Sequence, residues 1–369
     1  MDAYIHSAIA HWGPRFISNG VALADFEEVT ASMESWQDWC RAWSVRGAIH
    51  EEMGRDALAR SRLVSAAEHL NRASVYYHFA KFLFVHDLTQ MHSAHVRAVE
   101  CRRLALPFLR PPGERVEMPY EGKWLAGILR RPAGTERPPV VVMVMGLDSA
   151  KEEMETNEQP FLDRGMATLS FDGPGQGEGE YGFAIRGDYE AVLAAVLDWL
   201  ETRSDIDTTA IGLWGVSLGG YYAPRAAAFD KRVRACIALS GPYNFGEVWD
   251  DLPDLTREAF RVRSKCDTAE QARHHAATLS LAGLAERITC PICIVTGKRD
   301  RVIPWQQAER LAREVRGRVE LMIFEDANHV ANNRIYCYRP QTADWMADQL
   351  RGHAVEGGAS AEPAHAPCR

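Results

Sequence analysis

One serine of this chain lies in a pattern that is typical of enzyme nucleophiles. Ser217 is the centre of Gly-Val-Ser-Leu-Gly, residues 215–219, and Gly220 follows directly. An apolar run precedes the pattern and a helix-forming stretch follows it, which predicts a tight turn between a strand and a helix. Glycines are needed there because side chains would collide with neighbouring backbone. Such a turn holds the hydroxyl at the positive end of a helix, where developing negative charge is stabilised.

A serine hydroxyl is a weak nucleophile unless a base removes its proton, and that base needs a carboxylate to orient it. Downstream of Ser217, Asp300 and His329 each follow an apolar run that predicts a strand. Because the carboxyl ends of parallel strands meet at one edge of a sheet, we expect these three side chains to converge there. An ordinary turn aspartate is the alternative interpretation of Asp300. Asp326 is a competing acid, but it lies too close to His329 along the chain for the usual geometry.

Chemistry at a carbonyl also needs two hydrogen-bond donors for the oxygen that becomes negative. The backbone N–H of Leu218, directly after the serine, is the first predicted donor. The second is expected in the loop at residues 145–149, where Gly146 permits a close approach and Leu147 donates its N–H. An ordinary turn between a strand and a helix is the alternative for this loop.

Two further motifs resemble cofactor sites but lack essential parts of them. The stretch Phe-Asp-Gly-Pro-Gly-Gln-Gly-Glu, residues 171–178, lacks the Lys-Ser/Thr pair of a phosphate-binding loop. We interpret it as a shaped turn that is structural or lines a pocket. Cys290 and Cys293 open an apolar run without a second ligand pair, so we expect buried strand thiols and no redox or metal site. No histidine or acidic cluster has convincing metal spacing, and the sequence predicts neither a cofactor nor a metal.

The elements that would position these residues alternate between strands and helices. Apolar runs that are typical of strands buried on both faces lie at residues 140–145, 167–171, 211–216, 233–239, 292–295 and 321–324. Helices are predicted at residues 189–201, 305–315 and 340–350. A hairpin is predicted before them, at residues 115–119 and 125–129. This order predicts an α/β fold with a mostly parallel, doubly wound sheet.

Composition divides the chain into three predicted segments. Residues 1–112 show helical periodicity and end at a breaker cluster, Arg-Pro-Pro-Gly-Glu, so they predict an all-helical domain. Residues 113–351 hold the predicted strands and form the predicted catalytic domain. Residues 352–369, rich in Gly, Ala, Pro and His, predict a disordered tail. Four aromatic residues of the helical segment are expected either to line a pocket or to form helix-packing core: Trp36, Trp39, Tyr76 and Tyr77.

Charge and composition exclude several classes of partner. The formal net charge is −8 and the Lys and Arg residues are scattered, which argues against a nucleic acid or an anionic membrane as partner. The apolar fraction of 46% is average for a globular protein, and no run approaches the ~20 apolar residues of a membrane-spanning helix. The N-terminus lacks a basic segment followed by an apolar stretch. We therefore predict a cytoplasmic protein that acts on a small molecule.

Motifs in both predicted domains match a known family. They are Arg-Phe-Ile-Ser-Asn-Gly-Val at residues 15–21, Ser-Ala-Lys-Glu-Glu at 149–153, Asp-Arg-Gly-Met-Ala at 163–167, the stretch at 171–178, Ser-Leu-Gly-Gly at 217–220 and Ala-Asp-Trp at 343–345. On these motifs the chain resembles, up to about residue 350, the α/β-hydrolases with an N-terminal helical cap domain. That group includes carbon–carbon bond hydrolases of bacterial nicotine breakdown. The resemblance implies the α/β-hydrolase fold and a catalytic triad of Ser217, Asp300 and His329.

The resemblance also implies a reaction. A serine hydrolase of this group would cleave a carbon–carbon bond next to the carbonyl of an aryl ketone, beneath a helical cap, and would form a homodimer. In related enzymes an acidic residue after the sixth strand shapes the substrate site. Glu247 is the candidate for that role, and a surface carboxylate is the alternative. The sequence departs from the group's pattern at Met145 and Val216, so the resemblance does not determine the identity of the substrate.

Other functions stay open at the level of sequence. The same triad would serve a carboxylesterase, a lactonase or an acyl transferase, because specificity resides in the pocket. His329 would also be able to activate water directly, without an acyl-enzyme. A non-catalytic small-molecule-binding protein that keeps the fold is the third hypothesis.

Overall fold

In the computed structural model, which describes residues 2–351, five α-helices precede the first strand. They are α1 (Ala3–Ser18), α2 (Leu23–Ala31), α3 (Trp39–Ala59), α4 (Leu63–Lys81) and α5 (Leu88–Ala105). The carboxylate of Asp2 caps α1 by accepting a hydrogen bond from the backbone N–H of Tyr4 at 2.7 Å. The predicted tail at residues 352–369 lies outside the described residues.

Aromatic side chains pack the helices of this first part against one another. Phe16 of α1 stacks on Phe79 of α4 with ring centroids 3.9 Å apart, and it meets Trp39 of α3 edge-on at 6.0 Å. Such contacts add to the stabilisation that burial of the rings provides. The four aromatic residues named from the sequence are buried, and none of them lines the cavity that contains Ser217: Trp36, Trp39, Tyr76 and Tyr77.

Among the described residues, eight strands form one sheet. They are β1 (Gly113–Tyr120), β2 (Lys123–Arg130), β3 (Pro139–Val144), β4 (Ala167–Phe171), β5 (Asp207–Val216), β6 (Val233–Leu239), β7 (Ile292–Gly297) and β8 (Val319–Phe324). Their order across the sheet is β1-β2-β4-β3-β5-β6-β7-β8. The predicted hairpin β1–β2 is antiparallel, β2 is antiparallel to β4, and all other neighbours are parallel. The prediction of a mostly parallel α/β sheet is confirmed.

Alternate residues of β3 enter two separate apolar clusters. Val140, Val142 and Val144 belong to one cluster, whereas Val141 and Met143 belong to the other. Because successive side chains of a strand point to opposite faces, β3 is buried on both sides, as its continuous apolar run predicts.

In the part of the chain that the structure describes, nine further helices lie between and after the strands. They are α6 (Glu155–Leu162), α7 (Gly179–Gly182), α8 (Glu190–Glu201), α9 (Gly219–Phe229), α10 (Phe245–Val248), α11 (Asp254–Arg263), α12 (Ala269–Ala276), α13 (Gln306–Glu314) and α14 (Arg339–Arg351). Within residues 2–351, no helix is both long and apolar enough to cross a membrane.

The positions of β3 and β5 determine where a site forms. These strands are neighbours, but the chain leaves β3 towards β4 on one side and leaves β5 towards β6 on the other. Connections that diverge in this way open a crevice at the carboxyl ends of the two strands. The loop at residues 145–149 and the turn at residues 215–219 both lie at this crevice.

Candidate active site

Ser217 has the left-handed backbone conformation that is common in tight turns. Its φ is +55°, which is unfavourable for a residue with a side chain. A Cβ at Gly215 would lie 2.0 Å from the carbonyl oxygen of Gly219, and a Cβ at Gly219 would lie 2.1 Å from that of Val144. Both positions therefore require glycine, which gives the predicted pattern its steric reason. The turn places Ser217 two residues before Gly219, the first residue of α9.

The structure brings Ser217, Asp300 and His329 into hydrogen-bond contact. His329 Nε2 lies 2.9 Å from Ser217 Oγ, and its Nδ1 lies 2.8 Å from Asp300 Oδ2. The other carboxylate oxygen of Asp300 accepts hydrogen bonds from the backbone N–H groups of Val302 at 2.8 Å and Ile303 at 2.9 Å. The side chain of Asp300 is fully buried. With this arrangement, a proton on Nδ1 would leave Nε2 free to accept the proton of the serine.

The competing acid, Asp326, points elsewhere. Its carboxylate accepts a hydrogen bond from Arg334 Nε at 2.9 Å, and its side chain is 42% exposed. The hydrogen bond from Arg334, together with the charge of that arginine, lowers the pKa of Asp326. Asp326 therefore belongs to a surface ion pair.

The loop that carries His329 is itself constrained. Val330 and Ala331, the next two residues, have φ values of +61° and +51°. The Oγ of buried Ser240, which follows β6, accepts a hydrogen bond from the backbone N–H of Val330 at 3.0 Å. Ser240 could not be predicted from the sequence, because nothing in its local pattern signals a contact with a loop 90 residues away.

Of the two predicted donors for a negative oxygen, Leu218 belongs to the serine turn and Leu147 belongs to the loop that follows β3. Within residues 2–351, the backbone N–H groups of Leu147 and Leu218 donate to no other protein group. The loop of Leu147 packs against the turn, since a Cβ at Gly146 would lie 3.1 Å from Ser217 Cβ. Both N–H groups are thus available to a ligand next to Ser217.

A cavity opens above Ser217 and is closed partly by the helical part of the chain. Trp12, Arg15 and Asn19, all from α1 or the residue after it, line this cavity together with Ser217 and His329. Its other walls combine apolar and polar side chains: Leu147, Met154, Trp214, Val216, Val302, Val330, Asp148, Ser149, Glu153, Asn157, Thr256 and Asn332. A small molecule with both apolar and polar parts fits this lining.

Arg15 anchors α1 to the loop after β3. Its Nη1 lies 2.7 Å from Asp148 Oδ1, its Nε donates to Glu153 Oε2 at 3.2 Å, and its Nη2 also binds the Glu153 carboxylate. Burial opposes the charge of Arg15, but the two carboxylates outweigh it and raise the pKa of Arg15. Burial likewise opposes ionisation of Glu153, but Arg15 and His78 hold its pKa well below the ordinary value. In the sequence, Arg15 and Glu153 stand out only as parts of the family motifs.

Glu247 does not reach the triad. Its carboxylate lies 3.0 Å from Nη1 of Arg310 on α13, and the side chain is 46% exposed. It is absent from the lining of the cavity that contains Ser217. The structure gives this residue the position of a surface carboxylate.

The two cysteines of the C-x-x-C motif are free thiols. Cys293 is buried within β7, whereas Cys290 precedes the strand and is half-buried. Burial raises the pKa of both thiols, that of Cys290 to about 11. A raised pKa is the opposite of what a reactive or metal-binding thiol needs.

One group of buried residues approaches the spacing of metal ligands. Atoms of His95, Glu152 and Asp172 lie within 4.8 Å of one another. However, Lys151 Nζ lies 2.7 Å from Glu152 Oε1 and 2.6 Å from Asp172 Oδ2. The ammonium group thus already supplies the positive charge, and we interpret the group as an ion cluster around a lysine.

Comparisons with known proteins connect this chain to hydrolases. A model of the prolyl oligopeptidase family matches residues 153–353, more than half of the chain. The chain is 36% identical over 349 residues to the 2,6-dihydropseudooxynicotine hydrolase of Paenarthrobacter nicotinovorans, and the match covers 92% of each. It is similar to the crystal structure of the 2,6-dihydroxy-pseudo-oxynicotine hydrolase, with a TM-score of 0.84, 35% identity, and coverage of 92% of this chain and 96% of the other.

A fungal relative matches over a shorter region. The chain is 32% identical over 256 residues to hydrolyase ccsE of Aspergillus clavatus, and the match covers 62% of this chain and 58% of the relative. The predicted α/β-hydrolase fold and the predicted resemblance are confirmed by these matches together.

Proposed function

The chain belongs to the prolyl oligopeptidase family and is a hydrolase, and from this premise we propose that it cleaves an aryl ketone with Ser217, Asp300 and His329 as its catalytic triad. The bond that breaks joins the carbonyl carbon to the ring. The observation that carries the proposal is the position of His329, which bridges Ser217 Oγ at 2.9 Å and Asp300 Oδ2 at 2.8 Å.

The first step is addition of the serine to the ketone. Ser217 Oγ bonds to the carbonyl carbon while its proton passes to Nε2 of His329. Asp300 accepts a hydrogen bond from Nδ1 and stabilises the imidazolium that forms. The carbonyl oxygen becomes negative, and the N–H groups of Leu147 and Leu218 donate to it.

The second step breaks the carbon–carbon bond. Its electron pair moves to the ring carbon, which takes the proton from His329, and ring hydroxyl groups spread the developing charge. The acyl group stays on Ser217 as an ester. A water molecule then gives a proton to His329 while its oxygen bonds to the ester carbonyl carbon. The bond from that carbon to Ser217 Oγ breaks, His329 returns the proton to Oγ, and the carboxylic acid leaves.

The choice of a ketone rests on similarity. The relative that matches over 92% of both chains is named for 2,6-dihydropseudooxynicotine, and the crystal structure of the 2,6-dihydroxy-pseudo-oxynicotine hydrolase is similar in overall fold. The mixed lining of the cavity supports a substrate with an apolar ring and polar substituents. Hydrolysis of an ester by the same triad is the alternative, because the first step is shared.

Product analysis separates the two reactions. Purified protein is incubated with a dihydroxypyridyl ketone and, in parallel, with p-nitrophenyl acetate, and the products are identified by mass spectrometry. We expect the ketone to yield the dihydroxypyridine and the carboxylic acid. In Ser217→Ala, kcat should fall by a factor on the order of a million, because the remaining groups have no nucleophile to activate.

Each other outcome contradicts a different part of the proposal. Ester turnover without ketone cleavage would contradict the carbon–carbon reaction and favour a carboxylesterase. Ketone cleavage that survives in Ser217→Ala would show that His329 activates water directly. Binding of the ketone without turnover, together with no labelling of Ser217 by a fluorophosphonate, would favour a binding protein.

A further inference from the structure

The Gly-rich loop at residues 171–178 has no part in the proposed reaction, yet one of its side chains lies behind the loop of Leu147. Gln176 is 1% exposed. Its Nε2 donates hydrogen bonds to the carbonyl oxygens of Met145 at 2.6 Å and Gly146 at 3.0 Å. These are successive carbonyl groups of the loop that follows β3.

The orientation of the Gln176 amide is fixed by its neighbours. The hydroxyl of Tyr189 donates to Gln176 Oε1 at 3.0 Å. A reversed amide would direct Oε1 at two carbonyl oxygens, where no hydrogen bond forms. Tyr189 is fully buried and stacks on Tyr222 with ring centroids 3.9 Å apart, so its hydroxyl has little freedom to move. A Cβ at Gly173 would lie 2.0 Å from that hydroxyl, which explains one glycine of the loop.

Holding one carbonyl determines the direction of the next N–H. The carbonyl of Gly146 and the N–H of Leu147 belong to the same planar trans peptide group, so they point in opposite directions. Gln176 therefore directs the Leu147 N–H away from itself. Arg263 of α11 donates to the carbonyl oxygen of Leu147 and holds the following peptide group. Both peptide planes that flank Leu147 are thus fixed by buried side chains.

We propose that Gln176 is a positioning residue for the oxyanion site, acting through the peptide group between Gly146 and Leu147. It touches no reacting atom. Its amide keeps the Leu147 N–H aimed at the place where the substrate oxygen becomes negative, and Tyr189 keeps the amide in the required orientation. This inference rests on the proposed function, because it assumes that a tetrahedral intermediate forms on Ser217.

Gln176→Met tests the proposal, since methionine fills similar volume without an amide. Ser217 adds to the carbonyl carbon of an aryl trifluoromethyl ketone, and the resulting adduct carries a negative oxygen. The corresponding secondary alcohol forms no adduct and carries no negative oxygen. In the variant, kcat on the ketone or ester that the wild type turns over should fall about tenfold to a hundredfold, with KM within about twofold. The trifluoromethyl ketone should lose affinity by the same factor, and the alcohol should bind as it does to the wild type.

Two further variants keep the test decisive. Tyr189→Phe preserves the ring stack and removes only the hydroxyl, so it should give a smaller loss with the same pattern, and it carries the test if Gln176→Met fails to fold. Ser74→Ala is the matched control. It removes a buried hydrogen bond of 2.7 Å to the carbonyl of Ala98 in the helical part, and it should lower stability without changing kcat or either affinity.

The outcomes separate this inference from the proposed function. Equal weakening of both ligands, or reduced stability with unchanged kcat, would overturn the positioning role and leave the proposed function standing. The wild type should prefer the trifluoromethyl ketone to the alcohol. If this preference is unchanged in Gln176→Met and Tyr189→Phe, the positioning role is likewise overturned and the proposed function still stands. If the wild type shows no preference for the trifluoromethyl ketone over the alcohol, the proposed function fails, and this inference fails with it.

Discussion

Of the two acids that the sequence offers to His329, only Asp300 contacts the imidazole. In Asp300→Asn the amide keeps the shape of the carboxylate, but it no longer stabilises a positive imidazole and favours the wrong tautomer. We expect kcat to fall by about ten-thousandfold. Asp326→Asn, which alters only a surface pair with Arg334, should leave kcat within about twofold. Steady-state kinetics of both variants check this, and a similar loss in both would contradict the assignment of the acid.

The surface position of Glu247 leads to a second prediction for a single residue. Glu247→Gln removes an exposed ion pair with Arg310, and exposed pairs of this kind contribute about 1 kcal/mol or less. We expect kcat and KM close to those of the wild type, and a change below about 1 kcal/mol in the free energy of unfolding. A KM that rises about tenfold, equivalent to about 1.4 kcal/mol of lost binding, would instead place this carboxylate at the substrate.

At the scale of structural elements, the conformation of the loop that carries His329 depends on the hydroxyl of Ser240. Ser240→Ala would leave the buried N–H of Val330 without an acceptor, which costs about 1–3 kcal/mol of the free energy of unfolding. Because Val330 and Ala331 have positive φ values, the loop should relax and move the imidazole, so kcat should fall more than KM rises. Urea unfolding and steady-state kinetics measure the two effects. Ser74→Ala again serves as control, and a Ser240→Ala variant that loses stability alone would contradict the positional role.

The elements that can be predicted from the sequence are those whose side chains must be buried in a regular pattern along the chain. A strand covered on both faces needs consecutive apolar residues, and for this reason β4 and β6 coincide with the predicted runs. Because Asp300 and His329 each follow the end of a predicted strand, the sequence also predicts that these two residues meet. Contacts between distant loops follow no period. The hydrogen bond from Arg15 to Asp148 joins residues 133 apart in the sequence. Gln176 lies in a turn whose glycines indicate a backbone shape but not the carbonyl groups that its side chain binds.

At the scale of the whole molecule, charged groups are buried where the helical part meets the sheet. His95 of α5 is 1% exposed, its Nδ1 lies 2.8 Å from the hydroxyl of Tyr181, and its Nε2 lies 3.7 Å from Glu152. Burial and the nearby charge of Lys81 lower the pKa of His95 to about 4. The folded protein therefore holds this histidine neutral at a pH where an unfolded chain would protonate it.

This difference makes the stability of the molecule depend on pH. As pH falls below the ordinary value of 6.5, the unfolded chain binds a proton at this position first, so stability is lost progressively down to about pH 4. The loss from this group alone amounts to about 3 kcal/mol. Burial and neighbouring carboxylates raise the pKa of Asp172 to about 6, which acts in the opposite direction over this range.

His95→Gln isolates the histidine, because glutamine still bonds the tyrosine hydroxyl but does not titrate. Free energies of unfolding from urea titrations are compared for wild type and variant between pH 7 and pH 4.5. Asp172 is present in both proteins, so the difference between them reports mainly on residue 95. We expect wild-type stability to fall more steeply, by a few kcal/mol on the order given by a pKa shift of this size. Parallel pH profiles would mean that His95 binds its proton over the same pH range in the folded protein as in the unfolded chain, and they would contradict the lowered pKa.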